Sequence, residues 1–128
     1  MVVSATPSLA AFLWVFLGGG IGSVCRYTIG IFAQPYAPRF PWATFIVNGA
    51  ACIVLGALLA WQAEGRLDDR YRLLLATGFC GGFSTYSTFT AENWQLMQDG
   101  QILIALLNIF MHLCVCFLCL FLGMKIGT

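Results

Sequence analysis

The sequence predicts an all-α integral membrane protein of four spanning helices, the third of them broken. Three observations carry that prediction. Of the 128 residues, 60% are hydrophobic and 9% are charged, against about a quarter charged in a soluble domain. The charges are segregated, because 1–25, 40–63, 73–91 and 100–124 contain no Asp, Glu, Lys or Arg. A helix of about 20 apolar residues crosses roughly 30 Å of hydrocarbon, so four spans take about 80 residues and leave short connections. Residues 1–128 therefore read as one domain. Large soluble domains and secreted disulfide scaffolds are excluded, and a net charge of +1 gives no basic patch for nucleic acid.

Span one is expected at 9–32. No Lys or Arg precedes its apolar run, unlike a signal peptide, so it should be retained as a helix. Its Gly18-Gly19-Gly20-x-Gly22 stretch would weaken a soluble helix but lets membrane helices approach closely. No strand precedes these glycines, so a nucleotide-binding reading is weak. Pro35, Pro38 and Pro41 mark the loop that follows, which ends at an interfacial Trp42. Span two is expected at 42–61, followed by a charged connection that holds Glu64, Arg66, Asp68, Asp69, Arg70 and Arg72.

Span three, at 73–97, is different. Residues 78–93, GFCGGFSTYSTFTAEN, combine glycines with hydroxyls, a composition that favours a broken helix whose freed backbone lines a cavity. Broken helices of this kind present carbonyls and helix ends to ions. Span four is expected at 101–124. Arg66, Arg70, Arg72 and Lys125 on one side oppose Arg39 and Arg26 on the other. That is a weak positive-inside bias, so either orientation is conceivable.

Catalysis finds little support. There is one histidine, His112, and no nucleophile–base pair. His112, Cys116 and Cys119 share a helix face suited to a soft metal, but packing is the favoured reading. All six cysteines lie in apolar spans and read as small buried hydrophobes. Polar side chains inside the spans are more telling, because they are expensive in hydrocarbon. Thr44, Asn48 and Cys52 form one stripe and Asn108, His112, Cys116 and Cys119 another. In span three Thr85, Thr88 and Glu92 share one face, while Phe83, Tyr86 and Phe89 share a second. Each stripe alone can be interhelical glue; three together favour a solvated pathway. Neutral donors and the positive edges of aromatic rings suit a small, strongly hydrogen-bonding anion.

GFCGGFSTYSTFTAEN, together with GGGIGSVCRY in span one and PWATFIVNGA in span two, resembles the Fluc (CrcB) fluoride channel family over essentially the whole chain. The resemblance implies a non-enzymatic, fluoride-selective passive channel in the bacterial inner membrane that exports the toxic anion from the cytoplasm. It implies an antiparallel, dual-topology homodimer with a structural sodium ion at its centre. It assigns the sodium carbonyls to Gly81 and Ser84, and the anion path to Asn48, Thr44, Tyr86, Phe89, Ser87, Thr88, Glu92, Asn108, His112 and Cys116. Arg26 matches the family's span-one arginine and reads as a structural, interfacial anchor. Tyr86 stands where the family usually has phenylalanine. His112 stands where a small or neutral polar residue is usual, and its protonation is expected to tune conduction at mildly acidic pH.

Two other function classes remain to be weighed. A small multidrug-type proton-coupled transporter needs a carboxylate in the first span, and residues 1–25 have none. A non-transporting membrane assembly protein explains the glycines but not three polar stripes. A flux assay separates both from a channel.

Overall fold

A computed structural model describes residues 8–36 and 40–128. All regular elements among them are helical. Helix α1 (Leu9–Ala33) starts where the Ser8 side chain accepts a hydrogen bond from the Ala11 N–H, an N-cap that satisfies one orphan donor. A 3₁₀ turn (Gln34–Tyr36) follows. Pro38 and Arg39, expected in the loop, lie outside the described residues. Pro41 precedes helix α2 (Trp42–Ala63), and Trp42 packs against Phe40 and Phe45 with ring centroids 4.6 and 6.1 Å away. Gly65, at φ +70°, turns the chain out of α2 in the left-handed conformation that favours glycine.

The third segment starts earlier than its hydropathy suggests. Asp68 caps the short helix α3 (Asp69–Tyr71) by accepting from the Arg70 N–H. Arg72 then turns inward, 5% exposed, with its guanidinium on Asp69 at 3.2 Å. An arginine buried by a capped turn can sit inside the helix, so the boundary moves from residue 73 into the charged connection. A π-helical stretch (Arg72–Cys80) and helix α4 (Gly81–Phe83) continue the segment. Ser84 and Thr85 then adopt extended backbone before helix α5 (Tyr86–Gln98). The expected break is present. Gly100, at φ +75°, leads into helix α6 (Ile102–Gly127).

Three helical stretches are long and apolar enough to cross a membrane: Leu9–Tyr36, Trp42–Ala63 and Ile102–Gly127. The interrupted third segment is not of that kind. The helices associate in two close pairs, α1 with the π-helical stretch and α4, and α2 with α6. Glycine makes both approaches possible. A Cβ on Gly18 would lie 2.0 Å from the Leu74 carbonyl oxygen, and one on Gly22 2.3 Å from that of Phe79. In the second pair, a Cβ on Gly56 would lie 2.2 Å from Leu120 O and one on Gly123 2.1 Å from Ile53 O. No side chain fits at such distances, so small residues decide these seams. The bulky residues of α1 and α6 point outward instead, among them Phe12, Phe16, Phe110 and Phe117.

The break also turns the aromatic stripe. Phe83 is buried and stacks on Phe79 at 5.2 Å, whereas Tyr86 is 81% exposed. Two extended residues intervene, so Phe83 leaves the face shared by Tyr86 and Phe89. The cysteines need a similar correction. Cys80 is buried, but Cys114 is exposed on the outer side of α6.

Candidate functional site

The site is built on the broken helix. At Ser84 and Thr85 the backbone leaves helical geometry, and its polar groups must find other partners. The Asn48 side chain of α2 supplies them. Its Oδ1 accepts from the Thr85 N–H at 2.8 Å, and its Nδ2 donates to the Thr85 carbonyl at 3.2 Å. This reciprocal pair takes the Thr85 N–H away from the Gly81 carbonyl, four residues back. Among the described residues, the carbonyls of Gly81 and Ser84 accept no hydrogen bond. Hard, uncommitted backbone oxygens of this kind suit a cation such as sodium. One Nδ2 hydrogen of Asn48 also remains unspent, because an amide carries two donors.

Arg26 is tied to the same break. Its Nε donates to the Gly82 carbonyl at 3.1 Å, and the Ser23 hydroxyl approaches that oxygen at 3.4 Å. The expected interfacial anchor is thus a side-chain cap on the end of α4. On the far side, Thr85 caps α5, with its Oγ1 accepting from the Thr88 N–H at 3.2 Å and donating to the Thr88 hydroxyl at 3.0 Å. Ser87 is exposed, 3.4 Å from the Thr85 hydroxyl.

Two cavities flank this point. The first, of about 520 Å³, is lined by Arg26, Thr44, Thr85, Thr88 and Glu92 among others. The second, of about 430 Å³, is lined by Asn48, Thr85, Tyr86, Phe89 and His112 among others. Thr85 borders both. In the first, the Thr44 hydroxyl donates to Glu92 Oε1 at 2.7 Å, while Glu92 Oε2 is buried without a partner. In the second, the Phe89 ring lies 5.8 Å from Tyr86 and 4.4 Å from His112. Phe45 closes on the same imidazole edge-on at 5.0 Å.

Asn108 reaches neither cavity. It is 0% exposed, and its Nδ2 donates to Asn93 Oδ1 at 3.0 Å. Asn93 Nδ2 donates in turn to the Phe89 carbonyl at 2.7 Å. The sequence stripes did not include Asn93, although its spacing of four from Phe89 was available. Nor did they include Ser23. No group of three or more His, Cys, Asp or Glu among the described residues is placed to hold a metal, so the His112–Cys116–Cys119 face does not form a metal centre. In the connection, Arg70 donates from its side chain and main chain to Asp68 and holds that carboxyl below its ordinary range.

A family model described as CrcB-like protein, Camphor Resistance (CrcB), matches residues 13–124. Relatives named fluoride-specific ion channel FluC match most of the chain. One from Acidobacterium capsulatum is 38% identical over 91% of this chain and 95% of its own. One from Thermus thermophilus is 39% identical over 91% and 92%, and one from Klebsiella pneumoniae is 43% identical over 77% and 79%.

Proposed function

Because this chain belongs to the CrcB family, we propose that it is a fluoride-selective passive ion channel that exports fluoride from the cytoplasm and so relieves its toxicity. It is a multi-pass membrane protein, as its family and its apolar helices require, and its residence is the bacterial inner membrane. Its relatives are named as channels, not enzymes. The observation that carries the reading is Thr85, which borders both cavities and is clasped by Asn48.

Fluoride is small and strongly hydrated, so a conducting path must replace water with donors while it keeps each site weak enough to leave. The proposed path enters the first cavity, past Thr44, Glu92 and Thr88, with the exposed Ser87 hydroxyl next to Thr85. Arg26 adds positive charge there, and the Thr44 hydroxyl holds Glu92 in place. The anion then passes Thr85 and the spare amide hydrogen of Asn48. In the second cavity the edges of Phe89 and Tyr86 offer partial positive charge, and a ring edge does not bind as tightly as a fixed cation. His112 lines that cavity beside Phe89, Asn108 supports it from the buried side, and Cys116 lines the same cavity.

The proposed architecture is one four-helix domain over 1–128, with the broken segment as the third span, paired with an inverted copy of itself. Both cavities are open-sided in a single chain, and Tyr86 and Gly81 stand exposed beside them. A second copy would supply the missing wall. The free carbonyls of Gly81 and Ser84 would hold a structural sodium ion, a pair of oxygens from each copy. When bound, sodium supplies a fixed positive charge that joins the two breaks.

The test is fluoride-electrode efflux from vesicles containing the purified protein. The expected result is efflux that needs a compensating cation pathway, with chloride retained. Equal release of chloride contradicts selectivity, and no release above empty vesicles contradicts a channel.

A further inference from the structure

We propose that His112, Asn108 and Asn93 form a positioning relay that clamps Phe89, and that Nε2 of His112 is the proton-binding end of that relay. The inference rests on the channel reading only for its consequence in conduction. The donors and acceptors can be assigned from one end. The Phe89 carbonyl can only accept, so Asn93 must present its NH₂ group there, at 2.7 Å. Asn93 therefore turns Oδ1 toward Asn108, which donates from Nδ2 at 3.0 Å. Asn108 in turn presents Oδ1 to His112 Nδ1 at 2.9 Å, and the Asn108 main-chain carbonyl lies 3.1 Å from the same nitrogen. Both atoms facing Nδ1 are acceptors, so Nδ1 carries the hydrogen. The neutral imidazole is held in one tautomer, with Nε2 as a bare lone pair.

Nε2 is buried and makes no hydrogen bond at ordinary distance, and the Thr44 main-chain carbonyl faces the ring as an acceptor that a second ring proton could use. The ring is enclosed by Phe89 at 4.4 Å and Phe45 at 5.0 Å. Helix α6 packs on α2 and α5, so the groups that face it are few. From α2 come Thr44 and Asn48, which are uncharged, and the Cys52 thiol. From α5 comes one carboxylate, Glu92, held by Thr44. On α6 itself Cys116 is a turn away. No carboxylate among the described residues pairs with the imidazole. A proton on Nε2 therefore places a positive charge with no paired carboxylate beside Phe89, on the wall of the second cavity, and raises anion occupancy there. As pH falls, conduction rises.

Two measurements test this, and the first does not depend on fluoride. The chain has a single histidine, so untagged protein labelled with ¹⁵N-histidine gives one pair of ring nitrogen signals. The expected spectrum near neutral pH has a protonated Nδ1 and a bare Nε2, and Asn108→Leu releases that preference. A wild-type ring protonated at Nε2 instead overturns the relay. The second is fluoride current across a bilayer, which excludes the electrically silent leak of hydrogen fluoride. Between about pH 8 and about pH 4.5 the wild-type current is expected to rise on the order of fivefold, as a buried unit charge close to an anion implies. His112→Gln keeps a donor toward Asn108 but cannot take a second proton, and it should lose the rise. A rise that persists unchanged in His112→Gln, or a flat wild-type profile, overturns the proton-binding role. Absence of fluoride current at every pH overturns the channel reading, and the ring nitrogen signals then decide the relay separately.

Discussion

The two glycine seams and the helix break hold the same helices together by opposite means. In the seams, α1 meets the third segment and α2 meets α6 so closely that no Cβ fits at Gly18, Gly22, Gly56 or Gly123. Packing does most of the work there, and the polar links across the first seam are those of Arg26 and Ser23 to the Gly82 carbonyl, at its end beside the break. At the break, α5 is held by hydrogen bonds: Asn48 on Thr85, Thr44 on Glu92, and Asn108 on Asn93. Only Asn93 of α5 is buried. The difference teaches where each property resides. A seam with no room for a methyl group has no room for an ion, whereas polar links beside cavities leave the unspent donors on which the proposed anion path relies.

The largest expected effect comes from enlarging a seam glycine. Gly123→Leu drives side-chain atoms into the Ile53 backbone, and overpacking of this kind costs about 1–3 kcal/mol or more. Folded yield and thermal unfolding in detergent should both drop sharply. Phe89→Ile should leave unfolding nearly unchanged but cut fluoride efflux by about tenfold or more, equivalent to about 1.4 kcal/mol. That pair of variants separates seam from break most cleanly.

Neighbouring glycines sharpen the comparison. A Cβ on Gly82 would lie 2.3 Å from the Gly19 carbonyl oxygen, while one on Gly81 meets nothing within 4 Å. Gly82→Ala should therefore destabilise the single chain. Gly81→Leu should spare it and instead reduce the dimer population measured by light scattering, if that face meets a second copy. A smaller effect is expected for Thr44→Val, which removes one hydrogen bond to Glu92. Such bonds are worth about 0.6 kcal/mol in a membrane, and the matching change in efflux is roughly threefold. The smallest belongs to the connection. Arg70 depresses the Asp68 carboxyl, so this contribution is present above the unfolded carboxylate range and fades as pH falls through the folded one. Asp68→Asn should slightly lower the unfolding temperature at neutral pH and make no difference in acid.

The seams and the break were not equally legible in the sequence. Charge-free runs marked α1, α2 and α6, because lipid demands long apolar stretches and helices supply them. The glycine and hydroxyl density of residues 78–93 marked the broken third segment for the same reason. Its π-helical stretch was not visible, since no residue pattern distinguishes one extra residue per turn. The Asn48–Thr85 clasp joins residues far apart in the chain and needs the α2–α4 geometry to be seen. Periodicity misled at Phe83, because a stripe counted through a break keeps no face. It also left Asn93 out, a residue whose importance comes from its partners Asn108 and Phe89 rather than from its own stripe.

The central claim is that the break conducts while the seams hold the fold. Fluoride efflux from vesicles with matched amounts of folded wild type and Phe89→Ile tests it most directly. The account predicts rapid fluoride release by the wild type, retention of chloride, and near-loss of release by the variant at an unchanged unfolding temperature. Equal release by the two proteins, or passage of chloride alongside fluoride, would contradict it.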